Sequence, residues 1–255
     1  MKAMIFAAGL GTRLKPLTDT CPKALVKVGD KPMLQHTIEH LIKHGFDEVI
    51  VNIHYLGNQI REFLQQHNNF GIRIEISDET EEVLETGGGL WKARHFFNDD
   101  KPFLICNADI FTNIHLEKFY QQHLHSNAIA TLAVRNRVSS RYLLFDDDNI
   151  LFGWENVKTH EVRIPRKIPL HVKEKLAQHE TYPLHEFAFS GYHIISPEIF
   201  KYNNKEGKFS MIDWYLDICR DHIIKAFRHN DDIWIDIGSQ EELIKANTIY
   251  LSLNI

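Results

Sequence analysis

The chain opens with an apolar strand that runs straight into a glycine-bearing loop, MKAMIFAAGL followed by GTRLKPLTDTCPKAL, and this junction limits the fold more than any other feature. Residues 2–8 form a short apolar run that reads as a buried strand. Gly9 and Gly11 then open a loop whose backbone N–H groups can approach an anion without side-chain interference. Arg13 stands two residues on, and Lys23 follows Pro22, which fixes the chain before it. Glycines, Arg and Lys behind a buried strand are equipment for gripping a polyphosphate, so the expectation is a nucleoside triphosphate site. Two other glycine patterns do not fit. The dinucleotide fingerprint places its third glycine where this chain has Leu14, and the Walker loop ends in Gly-Lys-Ser/Thr, which GLGTRL lacks.

Downstream, strand and helix patterns alternate. Met33, Ile38, Leu41 and Ile42 give residues 33–44 an apolar helical face, and Gly45 is placed to cap it. EVIVNI at 48–53 is a β-branched strand, 56–67 a helix, 72–77 an alternating strand, 90–97 a helix, and FLICN at 103–107 a near-continuous apolar strand suited to a sheet centre. This repetition predicts an α/β fold: a Rossmann-like mixed, mainly parallel sheet flanked by helices. Beyond it, strands are expected at 128–136, within 142–153, and at FSGYHIIS, IIKAFRH and DDIWIDI, with helices at SMIDWYLDICRDH and from about 239. Residues 155–185, carrying Pro165, Pro169 and Pro183, read as an insertion with a helix near 171–179. We expect one domain over 1–255, with 1–125 as a nucleotide-binding half and 126–255 as a sugar-phosphate-binding half.

Composition narrows the function classes. A formal net charge of −5 argues against a nucleic-acid backbone as partner, so phosphates must meet a local positive patch, which Arg13, Lys15 and Lys23 can supply. Cys21, Cys106 and Cys219 show neither paired nor metal-ligand spacing, which fits a reduced, cytoplasmic setting. No apolar stretch approaches the roughly 20 residues of a membrane span, and no signal peptide precedes the first strand. His36, His40 and His44 share a helix face, yet no third carboxylate or HExxH glutamate accompanies them. A solvated face, or one that contacts a second copy in a homo-oligomer, is the expectation there.

AAGLGTRLKPLT followed by CPKAL resembles the signature of the sugar-1-phosphate nucleotidyltransferases. The likeness continues in family order through VNIHYLGNQI, LETGGGLWKA, LICNADI, FSGYH and WIDIGS, spanning almost the whole chain. VNIHYLGNQI and LETGGG are most similar to the short branch containing N-acetylmuramate-1-phosphate uridylyltransferase and mannose-1-phosphate guanylyltransferase-like proteins. The resemblance implies a nucleotide-diphospho-sugar transferase fold and a Mg²⁺-dependent reaction that joins a sugar 1-phosphate to a nucleoside triphosphate. Arg13, Lys23 and Asp109 would be catalytic, and Asp109 and Asp236 would hold the metal. Ala8, Gly9, Gly11, Thr12, Arg13, Lys23, Glu85, Gly87, Gly88 and Asn107 would meet the nucleotide, with Ser190 and Gly191 lining the sugar pocket.

The chemistry is consistent with that set. A sugar phosphate is already a usable nucleophile, so catalysis reduces to positioning and to neutralising phosphate charge. A hard cation held by one or two carboxylates suits this task. Gly87, Gly88 and Gly89 are expected to let backbone approach base and ribose. The chain departs from the family at two places: Asn107-Ala108-Asp109 has alanine where relatives often carry glycine or serine, and relatives often carry Glu-Lys-Pro before the sugar site, where here the nearest string is Glu155-Asn156-Val157-Lys158. The residue that grips the sugar phosphate is therefore unassigned. Uridylyl transfer to N-acetylmuramate 1-phosphate or a similar hexose phosphate leads; guanylyl transfer to a mannose or heptose phosphate follows, and choline-phosphate cytidylyl transfer is more distant. Two other classes are weighed: a silent nucleotide-sugar sensor, opposed by intact Arg13, Lys23, Asp109 and Asp236, and a nicotinamide dehydrogenase, opposed by Leu14.

Overall fold

In the computed structural model, which describes residues 1–166 and 184–253, the first strand β1 (Lys2–Phe6) lies where the opening sequence requires it. A short hairpin, β2 (Lys27–Val28) and β3 (Lys31–Pro32), leads into α1 (Met33–Lys43) and β4 (Glu48–Ile53). Next come α2 (Gly57–Gln66), β5 (Arg73–Asp78), α3 (Glu85–Ala93), β6 (Phe103–Asn107), β7 (Ile110–Thr112) and α4 (Leu116–Leu124). The second half contains β8 (Ala130–Arg135), β9 (Arg141–Phe145), β10 (Leu151–Asn156), β11 (Glu161–Arg163) and β12 (His185–Ile195). It ends with α5 (Met211–Ile218), β13 (Ile224–Arg228), β14 (Trp234–Asp236) and α6 (Gln240–Ser252).

Among the described residues, ten strands form one mixed sheet. Its parallel part runs β5-β4-β1-β6, with β1 central: Ile5 pairs with Val51 on one side and Cys106 on the other. Beyond β6 the sheet turns antiparallel through β12, which pairs in different stretches with β6, β8 and β9, while β13 returns parallel to β8. Alternation along β1 explains the layers. Met4 joins Ile50, Ile105, Leu90 and Trp214 on one face, under α3 and α5. Ala3 and Ile5 join Val49, Val51, Leu34, Ile38, Ile60 and Phe119 on the other, under α1, α2 and α4. Gly45, at φ 80° just past the end of α1, fills the capping position expected of it.

Three differences from the sequence reading have physical reasons. Helix α3 begins at Glu85, not residue 90, so the glycine run is helical. The segment counted as insertion from 155 contributes sheet: Glu155 and Asn156 end β10, and β11 pairs with it. Strand β14 is expected within DDIWIDI, but its partner β7, in which Ile110 pairs with Asp236, is not, because three residues carry too little periodicity to be read. The helix expected near 171–179 lies outside the described residues.

Candidate active site

Strands β1 and β6 are neighbours in the sheet, and the order reverses between them: the chain goes from β1 to β4 on one side and reaches β6 on the other. Ligands in open α/β sheets bind outside the carboxyl ends of strands at such a point. A cavity of about 230 Å³ lies there. Ala7, Ala8 and Gly9 wall it after β1, Asn107 at the end of β6 and Ala108 and Asp109 just beyond it, and Lys23, Glu79, Glu85 and Thr86 close its remaining sides.

Lys23 and Asp109 line it, and two further charged groups, Asp236 and Arg13, meet them beside it. The Lys23 ammonium, 12% exposed, makes a short ion pair with Asp109 Oδ2 and lies 3.4 Å from Asp236 Oδ1. Arg13 approaches the other oxygen of Asp236 at 3.9 Å. These residues come from four segments, and the backbone holds two of them in register: Ile237 N–H donates to the Asp109 carbonyl at 3.0 Å. Asp109 Oδ1 is buried with no hydrogen-bond partner. A buried carboxylate oxygen left open beside a second carboxylate fits a hard divalent cation, and Mg²⁺ typically takes one or two protein carboxylates and completes its shell with phosphate oxygens and water. Among the described residues no group of three or more His, Cys, Asp or Glu side chains could hold a metal, so phosphate and water would supply the other ligands.

Above this cluster, residues 11–25 fold into successive 3-10 turns at Thr12–Leu14, Leu17–Asp19 and Lys23–Leu25. Gly11 turns the loop at φ 64°, where a Cβ would also meet Thr18 Cγ2 at 2.8 Å. Its carbonyl accepts from Leu14 N–H at 2.9 Å and from the Thr18 hydroxyl at 2.8 Å. Gly9, Thr12 and Arg13 stay exposed over the site. Leu14 is fully buried against Met33, Ile235 and Ile237, which ties the loop to β14.

Sequence reasoning missed Asn52 and Glu79. Asn52 Oδ1 accepts from Ala7 N–H at 2.7 Å, and Asn52 Nδ2 donates to Glu79 Oε1 at 2.8 Å. Glu79 Oε2 accepts from Leu84 N–H at 3.2 Å. A buried relay thus joins the phosphate loop's base to the residue before α3, and burial pushes the Glu79 carboxyl up. The available signal was a polar residue near the end of each of two strand patterns, at the carboxyl ends of strands where open α/β sheets carry ligands. Glu85, which opens α3, sits at φ 59°, an unfavourable conformation for a residue with a Cβ, against the cavity.

Several expected contacts are otherwise engaged. Gly87 and Gly88 do not offer free backbone to a nucleotide, since both N–H groups donate to the Phe209 carbonyl, at 2.8 and 3.2 Å. Glycine is required there by packing: a Cβ on Gly87 would reach the Phe209 ring at 2.4 Å, and one on Gly88 the Gly207 carbonyl at 2.2 Å. Ser190 is fully buried and does not line an open sugar pocket. Its hydroxyl lies 2.7 Å from His229 Nε2, and His229 Nδ1 lies 3.5 Å from Asp232. This is the order of a hydrolase triad, but a serine without exposed surface cannot act as a nucleophile. Ser190 instead anchors Trp234, whose indole N–H donates to the Ser190 carbonyl at 2.9 Å. Gly191, at φ 78°, leaves room for Asn107, whose Nδ2 would lie 2.8 Å from a Cβ there. The His36–His44 face is half-buried rather than solvated. His36 and His40 contact the Val28 and Ile114 carbonyls at 2.8 and 2.9 Å, which occupies one ring nitrogen of each.

Among the described residues no helix is long and apolar enough to cross a membrane. The chain is 40% identical over 121 residues to N-acetylmuramate alpha-1-phosphate uridylyltransferase of Neisseria meningitidis, a match covering 48% of this chain and 52% of that protein. It is 34% identical over 163 residues to UTP--glucose-1-phosphate uridylyltransferase of Synechocystis, covering 58% of this chain and 42% of that one. The chain thus spans about half the length of these curated relatives. Among solved structures, HddC of Yersinia pseudotuberculosis, complexed with GMP-PN, superposes with a TM-score of 0.72 over 98% of this chain and 99% of that one at 23% identity, a likeness of fold. The Nucleotidyl transferase model matches residues 2–252, and the chain belongs to that family.

Proposed function

We propose that this protein joins a sugar 1-phosphate to a nucleoside triphosphate, forming a nucleoside-diphosphate sugar and releasing pyrophosphate. The observation that carries this reading is Lys23 set between Asp109 and Asp236 at the sheet's switch point, beneath the glycine loop. The triphosphate lies along residues 8–13, with Arg13 on its outer phosphates. Lys23 neutralises charge that builds on the α-phosphate and the departing pyrophosphate. The acceptor phosphate oxygen attacks the α-phosphorus while the bond to the bridging oxygen of pyrophosphate breaks. No general base is required, because the phosphate monoester is already ionised. Asp109 and Asp236 would hold Mg²⁺, which supplies charge neutralisation and alignment of the phosphates.

Uridylyl transfer to N-acetylmuramate 1-phosphate or a similar hexose phosphate is the leading pairing. A second reading, guanylyl transfer, rests on Glu85: it faces the cavity, and among the described residues its one ion-pair partner is Lys208 at 3.9 Å, so its carboxylate is available to accept from the N–H edge of guanine. Pyrophosphate release with Mg²⁺ tests both, crossing the four ribonucleoside triphosphates and dTTP with a panel of sugar 1-phosphates and phosphocholine. Release in one pairing, dependent on both substrates, is expected. Nucleotide binding with no release across the grid would favour a sensing role, and neither binding nor release would overturn the proposal.

A further inference from the structure

The loop after β8 carries a guanidinium with no assigned duty. Arg137 is half-buried, and its Nε is buried with no hydrogen-bond partner. Its Nη2 donates to the Phe189 carbonyl at 3.1 Å and its Nη1 to the Val138 carbonyl at 3.4 Å, and its Cζ lies 4.5 Å from the centre of the Trp234 ring. Among the described residues no carboxylate forms an ion pair with it; burial works against its charge, and the nearby Asp236 carboxylate works for it. Leaving a buried charged donor unsatisfied is costly, and such a group in a folded protein calls for an explanation.

Arg137 stands between two cavities. One, of about 430 Å³, is lined by Arg13, Arg135, Lys245 and Ser239 and shares Asp236 with the catalytic cluster. The other, of about 270 Å³, presents Tyr142, Trp154 and Phe189. Trp234 and Asp236 alternate on β14, so they project from the same face of that strand, and Trp234 seats Arg137 beside the carboxylate. Three other cations line the first cavity, and Arg13, 3.9 Å from Asp236, is committed to the triphosphate in the proposed reaction. Arg135 donates to the Asp232 and Asn230 carbonyls, both at 3.1 Å, and Lys245 pairs with Glu242 at 3.6 Å.

Given nucleotidyl transfer as proposed above, the acceptor needs a phosphate grip beside Asp236 and a surface for the sugar ring's C–H faces. We propose that Arg137 binds the phosphate of the sugar 1-phosphate, with the sugar ring lying against Tyr142, Trp154 and Phe189. The region of Glu155 and Asn156 is unsuited to the phosphate, because the Glu155 and Glu186 carboxyl groups interact directly there and, among the described residues' ion pairs, no cation stands between them. Arg137 thus fills the place that the chain's missing Glu-Lys-Pro element leaves open.

The test compares the wild type with R137M and R137K. Kinetics of pyrophosphate release are measured against the acceptor and against the nucleoside triphosphate, alongside calorimetric titration with orthophosphate. Loss of a charge-assisted hydrogen bond should raise KM for the acceptor by about tenfold or more in R137M, with partial recovery in R137K. KM for the triphosphate should change less than about threefold, a split that a merely structural role would not produce. Equal acceptor KM in wild type and R137M, or equal losses for both substrates, overturns the assignment. A wild type inert with every pairing overturns nucleotidyl transfer itself. The orthophosphate titration then judges Arg137 separately: binding to wild type that is lost in R137M upholds it, whereas binding to both or to neither removes it.

Discussion

The two halves of this molecule build their parts of the site by different means. In the parallel half, backbone does most of the work: strand ends, tight turns and glycine place the loop of residues 8–13 over the crevice between β1 and β6, and the Asn52–Glu79 relay locks it from behind. In the antiparallel half, side chains do the work. Arg137, Trp234 and the Tyr142, Trp154 and Phe189 wall come from separate strands and loops, with Ser190, His229 and Trp234 bound together underneath. Backbone geometry fixes a recognition site for a constant group, such as a triphosphate. Side-chain chemistry on a common scaffold is where an acceptor can be changed without refolding the sheet.

The largest effect is expected where the halves meet. Asp109 follows β6, in the parallel half, and faces Asp236, which comes from the last strand of the other half. Asp109→Asn keeps the shape but removes charge from the pair, and turnover should fall below detection while the melting temperature shifts little. Measurable activity under saturating Mg²⁺ would remove Asp109 from the mechanism. Lys23→Ala comes next, with a loss on the order of 10²–10³ in rate if the ammonium stabilises phosphate charge. A change of only a few-fold would mark Lys23 as a structural counter-ion to the two aspartates.

A third substitution asks whether the parallel half is as rigid as its backbone suggests. Asn52→Ala leaves both the Ala7 N–H and Glu79 Oε1 without their partner. Removing one side of such buried bonds costs about 1–3 kcal/mol. Chemical denaturation should show a loss in that range, and KM for the triphosphate should rise while KM for the acceptor does not. An equal rise in both would mean that the relay supports the whole crevice and not the nucleotide loop alone.

Much of the parallel part was legible in the sequence. Strand β1, α1, β4, β5 and β6 follow from apolar period and glycine or proline punctuation, which are local signals. Gly11, Lys23, Asp109 and Asp236 are brought together in the structure as the motifs implied. Gly87 and Gly88 show the limit of such reading. A glycine run looks like a flexible loop when the neighbour that demands it, Phe209 with Gly207, lies more than a hundred residues away in sequence. Arg137 was invisible for the same reason, since the role proposed for it rests on Trp234 and Asp236 and on the lack of a carboxylate ion pair among the described residues.

The smallest effect, and the subtlest division between the halves, concerns acid. Burial holds His123 and His229 down to about 4 and His193 to about 3, against about 6.5 for an exposed imidazole, and all three pack on or beside the antiparallel strands. His123 contacts the Thr131 and Ser196 hydroxyls at 2.8 and 3.0 Å, His193 the Tyr215 hydroxyl at 2.6 Å, and His229 that of Ser190. A depressed native pKa means that below about 6.5 the unfolded chain takes up protons that the folded one refuses. Their contribution is complete above that pH and is lost as pH falls toward 4. His40, also held to about 4, is the counterpart on the parallel side, where α1 packs. With three such groups against one, hydrogen exchange between pH 6.5 and 4.5 should speed first in β8, β12 and β13 and later in β1 and β4. Simultaneous loosening of all five strands would show that acid opens the sheet as one cooperative unit, and that the division between the halves belongs to ligand recognition alone.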